Sequence, residues 1–133
     1  MTPAGLKIYP SNHGSENTIQ KVLTAIINRG FSDVTQIDHL AAAKAVGLTL
    51  RPTEVFIFGN AKSGTPLMQF APSVGIDLPL KILVWEDETG KTWLAYNDPS
   101  WIAQRHGLTG KADHILRAMA EVLDLIAAEA TRA

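Results

Sequence analysis

The chain has 133 residues, 46% of them hydrophobic, with no cysteine and a formal net charge of −1. That size suits one domain, residues 1–133, with a single core. The missing thiol excludes disulfides, thiolate metal sites and a cysteine nucleophile, while scattered Lys and Arg argue against a nucleic-acid-binding face.

Leu6 to Tyr9 is a short strand pattern followed by Pro10. Ser15 can cap a helix with Glu16 in its first turn, a favourable charge at the amide end. Ile19, Val22, Leu23, Ile26 and Ile27 then recur at helical spacing, and Gly30 closes the helix. Phe31 to Asp38 alternates as a strand with one wet face, with a one-residue slip between Phe31 and Val34 that fits a bulge or a late start. Asp38 can cap an Ala-rich helix through Ala45, ended by Gly47.

Val55 to Phe58 is an unbroken apolar run closed by Gly59, the pattern of a strand buried on both faces. Thr65-Pro66 reads as the next helix start, with Thr65 as cap, and Pro72 stops that helix. Leu80–Glu86 and Thr92–Tyr96 form an antiparallel hairpin in which Gly90 supplies a positive φ. Asp98-Pro99 begins a helix that ends at Gly107, and a final helix from about Asp113 carries an apolar stripe through Ile126. The order βαβαβαββαα is that of a two-layer α+β domain with an antiparallel sheet and its helices on one face. The opposite sheet face then needs its own cover, and a second copy of the chain, making a homodimer, is the simplest candidate. No apolar run approaches about 18 residues and no charged-then-apolar leader opens the chain, so a cytoplasmic protein without membrane contact is expected.

Four blocks carry a resemblance. Asp38-His39 with Arg51-Pro52-Thr53, then Gly59-Asn60-x-Lys62-x-Gly64-Thr65, then Asp77-Leu78-Pro79-Leu80-Lys81, then Tyr96-Asn97-Asp98-Pro99 with Arg105-His106-Gly107-Leu108 lie in one order over nearly the whole chain. In these the sequence resembles the bacterial and archaeal family called domain of unknown function 302. Ala61 departs from the pattern, standing where the family usually has proline. The resemblance implies a fold similar to that of the TATA-binding protein, a curved antiparallel sheet backed by helices, and it implies no agreed activity.

Candidate site residues cluster in the same blocks. The loop from Gly59 to Thr65 could offer backbone amides, with Lys62, to a phosphate or carboxylate. It is not a P-loop, because Thr65 follows Gly64 where lysine is required; its plainer reading is a turn in which Asn60 bonds its own backbone. Asp77 precedes an apolar run and could sit in a structural pair with Lys81 or Arg51. Tyr96 and Asn97 suit the lip of a pocket. His39 and His106 could serve as bases, although a first-turn and a last-turn helix position explain them more simply. No histidine pair has zinc spacing, so no metal site is expected. The leading expectation is a non-catalytic module binding a small anionic ligand through Asn60, Lys62, Gly64, Thr65, Asp77, Tyr96, Asn97 and His39. The alternative is an enzyme using His39 or His106 with a carboxylate such as Asp77. Nothing in the sequence names a ligand, a cofactor or a reaction.

Overall fold

The computed structural model describes residues 2–132. Its elements follow the expected order: β1 (Leu6–Pro10), α1 (Ser15–Asn28), β2 (Thr35–Asp38), α2 (His39–Ala45), β3 (Thr53–Phe58), α3 (Ala61–Phe70), a 3-10 turn (Pro72–Ile76), β4 (Leu80–Glu86), β5 (Thr92–Asn97), α4 (Pro99–Arg105) and α5 (Asp113–Thr131). The strands form one open sheet in the order β1-β5-β4-β3-β2, and every neighbouring pair is antiparallel.

Strand alternation divides the sheet into two chemically different faces. Phe56, Phe58, Leu80, Ile82, Val84, Leu94 and Tyr96 point one way and are buried. Over them lie α1 and α5, which contribute Val22, Ile26, Leu123 and Ile126 to the same core. The other face carries a cross-strand row in register on all five strands: Ile37 opposite Val55, Val55 opposite Leu83, Leu83 opposite Ala95, and Ala95 opposite Ile8. Trp85 opposite Trp93 forms part of the next row. Of these residues Val55, Leu83, Trp85, Trp93 and Ile8 are only half-buried, and Ile37 is exposed.

At α1 the cap position falls on Gly14, with no side-chain bond, rather than on Ser15, which is the first helical residue. Two boundaries differ further from the sequence expectation. β2 begins at Thr35, four residues late, because Phe31 leaves the strand path to pack edge-on against Phe58 with ring centroids 5.1 Å apart. Val34 also packs against the core, so the slip in phase marks residues anchored before pairing starts. The second difference concerns α3, which starts at Ala61 rather than at Thr65. Its cap is Asn60, whose Oδ1 accepts the Ser63 N–H at 2.9 Å. Thr65 caps nothing, and Pro66 lies inside the helix. Pro66 lacks the N–H that would reach the Lys62 carbonyl, a local loss that the cap one turn earlier offsets. Asp38 and Asp98 do cap, accepting from the Ala41 and Ser100 amides at 2.9 and 3.0 Å.

The β4–β5 hairpin turns as expected, with Gly90 at φ +84°. Asp87 is its hub. Oδ1 accepts from the Thr89 N–H and hydroxyl and from the Lys91 N–H, at 2.9, 2.7 and 3.0 Å, while Oδ2 accepts from Trp93 Nε1 at 2.8 Å. These donors, the Thr89 hydroxyl foremost, hold the Asp87 carboxyl well below the usual carboxylate range. A carboxyl depressed in the folded state adds stability that is fully present above its unfolded pKa, about 4, and is lost as pH falls further. The melting temperature of the parent should therefore fall more steeply on acidification below about pH 4 than that of Asp87→Ala. Parallel thermal melts from neutral to acid pH check this; curves that stay a constant distance apart would remove Asp87 as the acid-sensitive hub.

Candidate functional site

Where β3 ends, the chain must pass close to the segment before β4. Gly59 permits this, since a Cβ there would lie 3.2 Å from Pro79 Cβ. Behind the crossing opens a cleft of about 370 Å³. One lip is the start of α3, with Asn60, Ser63, Gly64 and Thr65; the floor is Phe31, Met68, Leu78 and Leu80; the far wall is Ala118, Met119 and Val122 of α5. Most of this lining is apolar, and its polar groups gather at the α3 end. There the Ser63 amide serves the Asn60 side chain and the Gly64 amide the Asn60 carbonyl. The amides of Ala61 and Lys62 meet no acceptor among the described residues, as helix geometry leaves them.

Of the expected site residues, Asn60, Gly64 and Thr65 share this cleft. Lys62 is exposed on the same first turn but outside the lining. His39 is an exposed first residue of α2, away from the cleft. Asn97 is half-buried on the β5 end opposite Leu6. Tyr96 and Asp77 each belong to a separate cluster.

Tyr96 is buried, and its hydroxyl donates to Asp124 Oδ1, which also accepts from the Tyr9 hydroxyl at 3.0 Å. The two tyrosine rings stack with centroids 5.9 Å apart. Burial first, then the bond to Asp124, pushes the Tyr96 phenol far above its ordinary value, while that same bond holds Asp124 low. A phenol so disposed is a neutral donor and not a base; the cluster ties α5 to the sheet.

Asp77 does not pair with Lys81 or Arg51. Lys81 Nζ donates instead to backbone carbonyls, that of Pro79 at 2.9 Å and that of Asp77 itself at 3.5 Å, and not to the Asp77 carboxylate. Both Asp77 oxygens accept from Arg105 Nη1 at 3.0 Å, and Oδ2 lies 2.5 Å from His106 Nε2. On the other side of the ring, His106 Nδ1 lies 2.7 Å from Ser73 Oγ. The His106 and Asp77 side chains are only 6% and 11% exposed, whereas Ser73 is exposed. The histidine and carboxylate that the sequence offered as an alternative are thus in contact. Ser73, Tyr9 and Asp124 were not singled out: a serine after a proline reads as turn chemistry, and Asp124 as one more polar residue on the wet side of α5. No group of three or more His, Asp or Glu able to hold a metal occurs among the described residues.

The model of the family described as "Domain of unknown function DUF302" matches residues 8–126. The chain belongs to the DUF302 family. A crystal structure of an uncharacterized conserved DUF302 protein from Bacillus stearothermophilus superposes with a TM-score of 0.81, covering 96% of this chain and 99% of that one. At 16% identity that likeness shows the shared fold and no more. Among curated proteins, the fluoride-specific ion channel FluC 1 of Brucella suis biovar 1 (strain 1330) is 46% identical over 116 residues, 87% of this chain and 46% of that protein. FluC 1 of Brucella abortus biovar 1 (strain 9-941) has the same identity, with 43% of its length covered. The DUF302 chain therefore spans less than half the length of the curated relatives it matches. Among its described residues no helix is long and apolar enough to cross a membrane.

Proposed function

We propose that this DUF302 chain is a homodimeric small-ligand-binding module whose cleft takes a compact apolar molecule with an anionic end. The observation that carries the reading is the cleft itself: about 370 Å³ of mostly apolar wall with two unpaired amides and an exposed lysine on its α3 rim. Its volume is at the small end of ligand pockets, and the few convergent polar groups at one end would orient the ligand. An anionic head would meet the Ala61 and Lys62 amides, and a short aliphatic body would lie against Met68, Leu78 and Met119.

Calorimetric titration with hexanoate and octanoate tests this, with the corresponding alcohols and with sodium fluoride as comparison. Carboxylates should bind and alcohols should bind more weakly. Ala118→Trp places an indole at the mouth from an exposed helix position, so it should weaken carboxylate binding at least tenfold with the melting temperature unchanged. No heat from any carboxylate sinks the reading. Heat from fluoride alone would favour a role matched to the FluC relatives. That second reading has a physical form. A channel crosses its bilayer by helices or a closed barrel; among the described residues no helix is both long and apolar enough and the sheet is open, so this half would stand outside the membrane.

The dimer is supported by the outer sheet face. Five strands at about 4.8 Å and about six residues at about 3.3 Å give a face of roughly 24 by 20 Å. That is roughly 480 Å² in projection, against about 800 Å² that each partner contributes to a standard interface. Exposed Val46, Leu48 and Leu50 extend the apolar surface toward that size, and Leu50 lines one shallow depression with Trp85. A two-fold axis through Leu83 would lay the Ile37–Ile8 row of one copy across that of the other, self-complementary as such symmetry requires.

A further inference from the structure

We propose that Ser73 is an activated nucleophile, and that Ser73, His106 and Asp77 form an acyl-transfer site independent of the cleft. The argument begins with the order of contacts, Ser73 Oγ to His106 Nδ1 at 2.7 Å and His106 Nε2 to Asp77 at 2.5 Å. A carboxylate can only accept, so the neutral imidazole carries its hydrogen on Nε2. Nδ1 then offers a lone pair, and the Ser73 hydroxyl is the group that donates to it. This is the nucleophile–base–orienting-group sequence of serine hydrolases, with the two ring nitrogens exchanged. Asp77 is itself fixed, since Arg105 Nη1 bonds both of its oxygens. Arg105 in turn lies over the Trp101 ring, 5.7 Å from its centroid.

Exposure is divided as the chemistry needs. His106 and Asp77 are nearly covered, which holds the tautomer, while Ser73 is open to an acyl donor. The Ser73 backbone N–H meets no acceptor among the described residues, and the nucleophile's own amide is a recurring donor to the oxyanion. No Gly-x-Ser-x-Gly elbow is involved; the serine is presented by the 3-10 turn Pro72–Ile76.

With a small ester, Ser73 Oγ attacks the carbonyl carbon as its proton passes to His106 Nδ1. The tetrahedral oxyanion collapses, the carbon–oxygen bond to the leaving alcohol breaks, and that oxygen takes the proton from Nδ1. Water then attacks the acyl-serine, again losing a proton to Nδ1, and the carboxylic acid leaves as the proton returns to Ser73. Ser73 and His106 are the catalytic residues; Asp77 and Arg105 position them.

The probe is p-nitrophenyl acetate with the full chain. The parent should release nitrophenol at least ten times faster than Ser73→Ala or His106→Gln. Peptide mass spectrometry should place an acetyl group on Ser73. Ser73→Ala, a change at an exposed hydroxyl, should melt with the parent, so its loss of rate is not loss of fold. Acetylation confined to lysines, or an unchanged rate in Ser73→Ala, overturns the proposal and leaves the cluster as a tie between the 3-10 turn and α4.

Discussion

Replacing Gly5 with valine should lower the melting temperature by roughly 6–20 °C, corresponding to roughly 2–5 kcal/mol in a chain of this size. Two independent costs meet at this position. Its φ is +77°, where a side chain costs about 1–2 kcal/mol. A Cβ would also stand 2.2 Å from Cδ2 and 2.3 Å from Cγ of Trp101, inside the indole itself. The backbone has little room to retreat, because the Gly5 carbonyl accepts the Asp98 N–H at 2.7 Å just before α4. Forcing the indole aside adds an overpacking cost of about 1–3 kcal/mol. Gly90→Val is the matched control: its φ is +84°, yet nothing lies within 4 Å of the added Cβ. It should show the backbone cost alone, about 1–2 kcal/mol, in the same urea or thermal titration. Equal losses at the two glycines would mean that Trp101 does not sit against Gly5.

Leu83→Asp should convert the proposed dimer to monomer, raising the dissociation constant by at least roughly a hundredfold, or about 2.7 kcal/mol. Leu83 is the midpoint of the apolar row, paired with Val55 on one side and Ala95 on the other. In a two-fold interface each copy contributes the substitution, so two unpaired carboxylates would be desolvated side by side. The folded monomer should survive, because Leu83 points away from the core formed by Ile82 and Val84. Sedimentation across a dilution series reads both outcomes. A parent that is monomeric at micromolar concentration removes the dimer proposal at once. A variant as dimeric as the parent would place the interface elsewhere.

Much of the architecture was legible in the residues because it rests on local chemistry. Asp38 and Asp98 cap helices by accepting from amides three and two positions on, and Gly90 turns a hairpin whose arms are adjacent in sequence. Alternating and helical periods gave the element order, and four motif blocks gave the family. Even the plainer reading of the central loop, Asn60 bonding its own backbone, follows from a side chain that reaches only a few residues.

Tertiary structure decided what depended on distant partners. α3 begins at Ala61 behind its Asn60 cap, and not at the equally good signal of Thr65-Pro66, because the chain leaving β3 must turn at once to pass Pro79. The far wall of the cleft comes from α5, more than 50 positions beyond Asn60, and no local pattern announces it. Asp77 had Lys81 nearby in sequence and Arg51 farther off as plausible cations, and took Arg105 and His106 instead. A charged side chain advertises its own chemistry but not its partner. Periodicity tells which face of an element is buried, whereas the choice among available partners is made by the packing that brings the faces together.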